Sequence, residues 1–138
     1  MELEQCINFV LTKAQQAVHQ LFKEELARFE VTPGQYAVLK CLWDENGQTA
    51  RQLADRLYVD GSTMTGLLDR MERKGLVERH HNSKDRRALK VVLTNKGREL
   101  EEPLNQIIED TNRKALQTLD DSEVNTLRKL LHNLEPRR

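Results

Sequence analysis

The sequence predicts a mainly α-helical domain that carries one small β-hairpin. Three observations support this fold class: apolar residues recur every three or four positions over most of the 138 residues, helix-capping residues mark several helix starts, and one stretch alternates with the period of strands. With 38% apolar residues and 22 basic residues balancing 22 acidic ones, the composition is typical of one folded domain and not of a disordered chain.

Two helices are predicted at the start of the chain. Apolar residues from Leu3 to Phe29 follow the spacing of a single long amphipathic helix. Thr32 then caps a second helix, with a proline next to it and with Gln35 in position to close a capping box. We expect this helix to end near Glu45, because an Asn-Gly pair follows directly.

A helix-turn-helix is predicted next. Thr49 caps a short helix over residues 50–57, and a glycine-containing turn over 58–61 leads into a fourth helix over 62–74. The apolar residues of the fourth helix fall on one face. Gly75 ends this helix, because glycine readily adopts the left-handed conformation that follows a helix.

A β-hairpin, or wing, is predicted to follow the helix-turn-helix. Residues 76–81 and 89–93 have the alternation of strands, and a polar turn over 82–88 separates them. A helix-turn-helix with an attached hairpin is a winged helix-turn-helix, so the fold class is mainly α with a small β-hairpin wing.

Two further helices complete what we interpret as one domain over 1–138. Thr94 caps a fifth helix, which should bend near Pro103 because proline lacks an amide donor, and Asp120 caps a sixth. The terminal helices carry more apolar surface than a domain of this size covers, which favours a dimer. The predicted parts are a winged helix-turn-helix lobe over 32–94 and dimerisation helices over 1–30 and 95–138.

Charge is distributed unevenly along the chain. Residues 51–98 include 12 basic and 6 acidic residues, whereas the segments before and after each carry a net charge of −3. A basic middle third on an acidic support favours a nucleic-acid partner. No apolar run approaches the ~20 residues of a membrane span, and the acidic first residues, without a targeting signal, favour the cytoplasm.

The fourth helix has the form of a major-groove reader, with one face suited to a core and the opposite face polar. Its N-terminus also offers backbone amides to a phosphate. The alternative is an ordinary solvated helix face. The candidate DNA-contacting residues are Ser62, Thr63, Thr65, Gly66, Arg70 and Arg73.

The tip of the predicted hairpin is basic. Lys84, Arg86 and Arg87 stand within four residues, and an arginine at the tip of a projecting loop fits the negative potential of a narrow minor groove. Asp85 is placed to hold a neighbouring guanidinium in a bidentate contact. The alternative is an ordinary charged turn.

Residues 85–97, with the sequence DRRALKVVLTNKG, resemble the wing signature of MarR-type winged-helix transcription regulators. Residues 52–77 are similar to the helix-turn-helix of the same family. The resemblance implies a cytoplasmic homodimer whose first, fifth and sixth helices interlock and whose two lobes straddle a pseudo-palindromic operator in double-stranded DNA. It also implies that Arg86, together with Arg87, reaches the minor groove, with Asp85 as the orienting partner.

Members of this family respond to small aromatic or lipophilic acids or, through a cysteine near the start of the first helix, to oxidants. Cys6 lies near that cysteine position, but an alignment on Tyr36 places the reactive position of the peroxide-sensing branch on Asn8. Cys41 lies among apolar residues and is interpreted as a small buried hydrophobe. A candidate effector pocket, whose residues core packing explains equally well, consists of His19, Phe22, Tyr36 and Trp43.

The function predicted from the sequence is a dimeric, sequence-specific DNA-binding regulator, most often a repressor, that a small-molecule effector releases. The alternatives are an oxidant-sensing regulator acting through Cys6 and a winged-helix module that binds protein. We expect no enzyme and no cofactor, because the sequence has no glycine-rich phosphate loop and no nucleophile elbow. We also expect no metal site, since the four histidines lack ligand spacing.

Overall fold

The computed structural model describes residues 1–82 and 85–135, with the backbone alone at 82 and 85–88. Short 3-10 turns, Leu3–Gln5 and Ala27–Phe29, flank the first helix. The helices are α1 (Ile7–Leu26), α2 (Pro33–Asp44), α3 (Ala50–Leu57), α4 (Gly61–Arg73), α5 (Asn95–Glu99), α6 (Glu101–Ala115) and α7 (Asp121–His132). The strands are β1 (Gln48–Thr49), β2 (Val77–Asn82) and β3 (Asp85–Leu93). The mainly helical fold with a hairpin wing is confirmed.

Side-chain caps begin most of the helices in the described part of the chain. The predicted caps of α2, α3, α5 and α7 are confirmed, whereas the predicted start of α4 at Ser62 is one residue late. Asp60 accepts a hydrogen bond from the amide of Thr63 at 2.7 Å, so Gly61 becomes the first helical residue. The capping residues are Thr32, Thr49, Asp60, Thr94 and Asp120.

The hairpin belongs to an antiparallel sheet with the strand order β1-β3-β2. The predicted seven-residue turn over 82–88 is wrong, because β3 begins at Asp85 and Asn82 pairs with Asp85. Charged residues indicated a turn, but backbone pairing with β2 extends the strand whatever the polarity of its side chains. The sequence also missed β1, since two residues show no alternation.

The predicted fifth helix is two helices, α5 and α6, which meet at Leu100. Pro103 is the third residue of α6, where its missing amide proton costs no helical hydrogen bond. In a continuous helix its ring would clash with the carbonyl of the residue four positions earlier, which is Glu99, and the helical path is interrupted before the proline. The predicted bend thus corresponds to a break between two helices, three residues upstream of Pro103.

The core lies between α2, α3, α4 and the sheet and extends to the end of α1 and the start of α6, where Leu26 and Leu104 are fully buried. Its central side chains, Leu39, Leu42, Leu53 and Met64, have no exposed surface. Gly97 on α5 lies against the residue that precedes β2, because a Cβ there would clash with the carbonyl oxygen of Leu76. None of the helices in the described ranges is long and apolar enough to cross a membrane.

Candidate nucleic-acid interface

α4 has one buried and one exposed face. Met64, Leu68 and Met71 are buried and anchor the helix in the core, as the apolar spacing predicts. The predicted DNA-contacting residues lie away from this stripe, and Gly66 among them is half-buried. The exposed ones are Ser62, Thr63, Thr65, Arg70 and Arg73. The fold thus brings these six residues to one surface, while their contact with DNA stays a prediction.

The N-terminus of α4 is partly occupied by its own cap. Asp60 accepts hydrogen bonds from the Thr63 amide at 2.7 Å and from the Ser62 hydroxyl at 2.9 Å. These bonds, the amide bond first, lower the pKa of the Asp60 carboxyl. The expectation that this terminus offers free amides to a phosphate is therefore only partly met, since the Thr63 amide already has an acceptor.

Gly66 makes room on the exposed face of α4. A Cβ at this position would lie 3.5 Å from Nη1 of Arg70. The Arg70 guanidinium therefore extends back along the helix over Gly66, as an arginine four residues later on a helix does. A Cβ at this distance is in ordinary contact, so only a side chain longer than that of alanine would compete with the guanidinium for this space.

The hairpin follows α4 directly, and β2 packs against that helix. Lys84 lies outside the described residues. The backbone of Asp85, Arg86 and Arg87 belongs to β3, but their side chains are outside the description, so their roles at DNA stay predictions. His80 and His81 are exposed on β2, and Nε2 of His80 lies 2.9 Å from a carboxylate oxygen of Glu78.

Sequence reasoning missed the contact between Arg79 on β2 and two carboxylates of α4. Nη2 of Arg79 donates to Asp69 of α4 at 2.5 Å, and Nε lies 3.7 Å from a carboxylate oxygen of Glu72. The alternation of β2 could have revealed this contact. Arg79 is two residues from the buried Val77, so its side chain leaves the strand on the same, inward-facing side.

The structure brings together two of the four candidate effector residues. The rings of Tyr36 and Trp43 meet edge to face with centroids 6.0 Å apart. Tyr36 donates to Asn105 of α6 at 3.4 Å, and Trp43 donates to the carbonyl of Gly97 at 3.0 Å. Burial raises the pKa of Tyr36. The other two residues lie on α1, where Phe22 is half-buried and His19 is exposed.

Two clefts on the surface of the described part of the chain are lined by residues other than the four candidate effector residues. One, of about 400 Å³, lies between α3 and α4 and includes Ala50, Met64 and Thr65 in its wall. Another, of about 350 Å³, lies between α1 and α6, where Lys114 donates to Glu25 at 2.8 Å. The predicted pocket of His19, Phe22, Tyr36 and Trp43 therefore stays a prediction.

Both cysteines are free. Cys41 is 3% exposed, which confirms its reading as a small buried hydrophobe, and burial raises the pKa of its thiol. Cys6 is half-buried and precedes the first residue of α1. Within the described ranges no group of three or more His, Cys, Asp or Glu residues is arranged to hold a metal ion.

Comparison with known proteins places these features in a family. Residues 31–89 match the model of the MarR family. The chain is 33% identical over 132 residues to the HTH-type transcriptional regulator TtmR of Methylorubrum extorquens, a match that spans 96% of this chain and 65% of that protein. It is 32% identical over 102 residues to the organic hydroperoxide resistance transcriptional regulator of Bacillus subtilis, spanning 74% of this chain and 69% of that protein.

A solved structure shares the fold over its full length. The structure of a cysteine-to-serine mutant of MarR from E. coli, complexed with operator DNA, superposes with a TM-score of 0.90 and 30% identity, covering 99% of this chain and 100% of that one. These relatives are transcriptional regulators, which confirms the prediction that the protein is not an enzyme. The chain therefore belongs to the MarR family of winged-helix, DNA-binding transcriptional regulators.

Proposed function

We propose that the protein is a dimeric, sequence-specific repressor that binds a pseudo-palindromic operator in double-stranded DNA and is released by a small aromatic or lipophilic effector. One observation carries the DNA-binding part: α4 is anchored by buried Met64, Leu68 and Met71 while its opposite face is exposed and polar. A helix of this form, beside a hairpin, fits the major groove. The similar E. coli protein, which is complexed with operator DNA, supports the same role.

The proposed DNA contacts divide between the two grooves. The exposed residues of α4 face base edges and phosphates in the major groove. Of the two arginines on this face, Arg70 is the nearer to the middle of the helix. Lys84, Arg86 and Arg87 of the hairpin approach the adjacent minor groove, and Asp85 orients the arginines. In this arrangement α4 reads bases, while the hairpin reads groove width and charge.

The dimer is supported by apolar side chains that one chain leaves in solvent. On α1, Ile7 is 62% exposed and Val10 is 41% exposed, and on α7, Leu130 is 58% exposed. Apolar residues at helical spacing on both terminal helices are a surface for a second copy of the chain. Two copies would place two α4 helices for two half-sites, which is what a pseudo-palindromic operator requires.

The effector proposal is supported by the position of the Tyr36–Trp43 pair. Tyr36 bonds α6, and Trp43 bonds α5, so the pair connects the DNA-binding lobe to the helices that lead to the chain's C-terminal part. A ligand that inserts beside these rings would change the lobe's position relative to those helices, and release of DNA is the expected result.

In vitro selection from random duplex DNA tests the proposal. The purified full chain should enrich a two-fold symmetric motif with half-sites about one helical turn apart, at each of two salt concentrations. Arg86→Ala should weaken binding and lower the salt dependence by about one unit of slope, whereas Arg113→Ala on α6 should leave both unchanged. Weak binding without an enriched motif, lost as salt rises, would contradict the proposal and favour a protein-binding module.

A further inference from the structure

Arg79 connects the wing to α4 through two carboxylates. Its Nη2 donates to Oδ1 of Asp69 at 2.5 Å, and its Nε lies 3.7 Å from Oε2 of Glu72. Asp69 and Glu72 are three residues apart on α4 and therefore neighbours on the helix surface. One guanidinium from β2 thus spans about one turn of the helix that carries the candidate DNA contacts.

The position of Arg79 gives this contact more weight than an ordinary surface ion pair. Its side chain is 24% exposed, and among the described residues its Nε is buried without a hydrogen-bond partner. A distance of 3.7 Å to Glu72 is outside hydrogen-bond range. The guanidinium is therefore hydrogen-bonded to Asp69 and only in ion-pair range of Glu72, and it is itself largely shielded from water while both carboxylates are about half exposed.

The negative charge of Asp69 is unfavourable on a surface that is proposed to bind DNA. This residue is half exposed, at 51%, and stands next to Arg70 on the helix that faces DNA in the proposed function. An unpaired carboxylate there would repel phosphate groups. The cation of Arg79 offsets that charge and, because β2 begins the hairpin, ties the helix to the base of the wing.

We propose that Arg79 is a positioning residue for DNA readout. Through Asp69 and Glu72 it holds α4 at one angle to the hairpin and keeps the Asp69 carboxylate paired, so that both DNA-contacting elements meet the duplex in one geometry. Arg79 acts through the two carboxylates and does not itself contact DNA. This inference rests on the proposed function, since it requires α4 and the hairpin to bind DNA together.

A double-mutant cycle measures the coupling. Arg79→Ala should lower affinity for the selected operator about tenfold, and discrimination against a scrambled duplex should fall with it, because both carboxylates lose their partner. In an Asp69→Asn/Glu72→Gln background the same substitution should lower affinity by less than about twofold. A direct phosphate contact would instead lower the salt slope by about one unit in both backgrounds, and that result would overturn the inference.

Two further variants separate position from charge and from folding. Arg79→Lys keeps the charge but replaces the planar, rigid guanidinium, which lies against both carboxylates, by a compact ammonium on a flexible stem. We expect it to retain affinity for scrambled DNA and to lose part of the discrimination. Arg113→Ala, which removes an equal charge from the pair with Asp110 on α6, should change neither, and a matching loss in this variant would contradict a role specific to Arg79.

Hydrogen exchange on the full chain without DNA gives a readout that does not depend on the proposed function. The amides of α4 should exchange faster in Arg79→Ala than in Arg113→Ala, because the helix loses its tie to β2. If the unsubstituted protein enriches no DNA sequence, the proposed function fails, and exchange alone decides whether Arg79 positions α4. Unchanged α4 exchange in Arg79→Ala would overturn the inference even in a protein that binds its operator.

Discussion

α4 and α7 are amphipathic helices of nearly equal length with opposite surroundings. They have 13 and 12 residues, and an aspartate caps each of them. α4 buries Met64, Leu68 and Met71 almost completely, whereas Leu130 and Leu131 of α7 are 58% and 42% exposed. Two similar sequence patterns therefore give one helix whose apolar face is covered and one whose apolar face the described residues leave exposed.

The difference shows what an apolar stripe specifies. The stripe determines that a helix forms and which face avoids water. It does not determine whether that face is covered by another segment of the same chain or by a second molecule. For α4 the cover is α3 and β2 of the same chain. For α7 the cover we propose is a second copy, so the DNA-binding lobe is complete in one chain while the terminal helices are not.

The strongest test of the comparison is truncation of a leucine on each helix. Leu68→Ala on α4 should lower the free energy of unfolding by about 2–5 kcal/mol, because it opens a cavity in a core that cannot collapse fully. Urea denaturation measures this loss, which should not vary with protein concentration. Leu130→Ala on α7 is the matched comparison, and its loss should shrink as the protein is diluted, because dissociated chains no longer make the contact that the substitution removes. Similar, concentration-independent losses for both would remove the distinction between the helices.

A charge on the exposed stripe of α7 tests the proposed cover directly. Leu127→Glu should weaken dimerisation about 100-fold, because association would bury an unpaired carboxylate, and operator affinity should fall although no DNA contact changes. Asn125→Glu adds the same charge on the polar side of α7 and should have little effect. Sedimentation measures the oligomeric state, and a Leu127→Glu variant that stays dimeric at micromolar concentration would contradict the proposed interface.

Most of the fold follows from local signals in the sequence. The caps at Thr32, Thr49 and Asp120 identify helix starts, and the left-handed glycine at position 75, with φ of 75°, ends α4 as predicted. The errors lie where tertiary pairing decides. β1 is two residues long and exists because β3 pairs with it, and Asp85 is in a strand because β2 lies opposite.

The candidate site was predictable as a surface but not as a set of contacts. Helical spacing sufficed to place Ser62 and Arg70 opposite the buried stripe. It did not reveal that Arg79 reaches Asp69, because that contact joins a strand to a helix ten residues away in sequence. It also did not show that the Thr63 amide donates to Asp60. A free amide at a helix N-terminus can donate either to a capping side chain or to a phosphate, and the spacing of residues does not distinguish the two.

The polar faces of the two helices offer a third, smaller test. Arg70→Ala on α4 should lower operator affinity about tenfold and the salt slope by about one unit, because it removes one cation from the surface proposed to face DNA. Arg128→Ala removes the same charge from α7 and should change neither quantity by more than the experimental scatter. Equal effects on salt slope would mean that overall charge, and not the face of α4, determines binding.

The smallest expected effect concerns the cap of α4 and depends on pH. Hydrogen bonds from the Thr63 amide and the Ser62 hydroxyl lower the pKa of Asp60 below its ordinary value of 3.8. Because the native pKa lies below the unfolded one, ionised Asp60 stabilises the lobe above that ordinary value, and the contribution is lost as pH falls through the lowered native pKa. Asp60→Asn keeps an acceptor for the Thr63 amide but does not titrate. Urea midpoints measured from about pH 5 to about pH 2.5 should therefore fall less in Asp60→Asn than in the unsubstituted protein, while equal slopes would mean that the cap bonds do not favour the carboxylate.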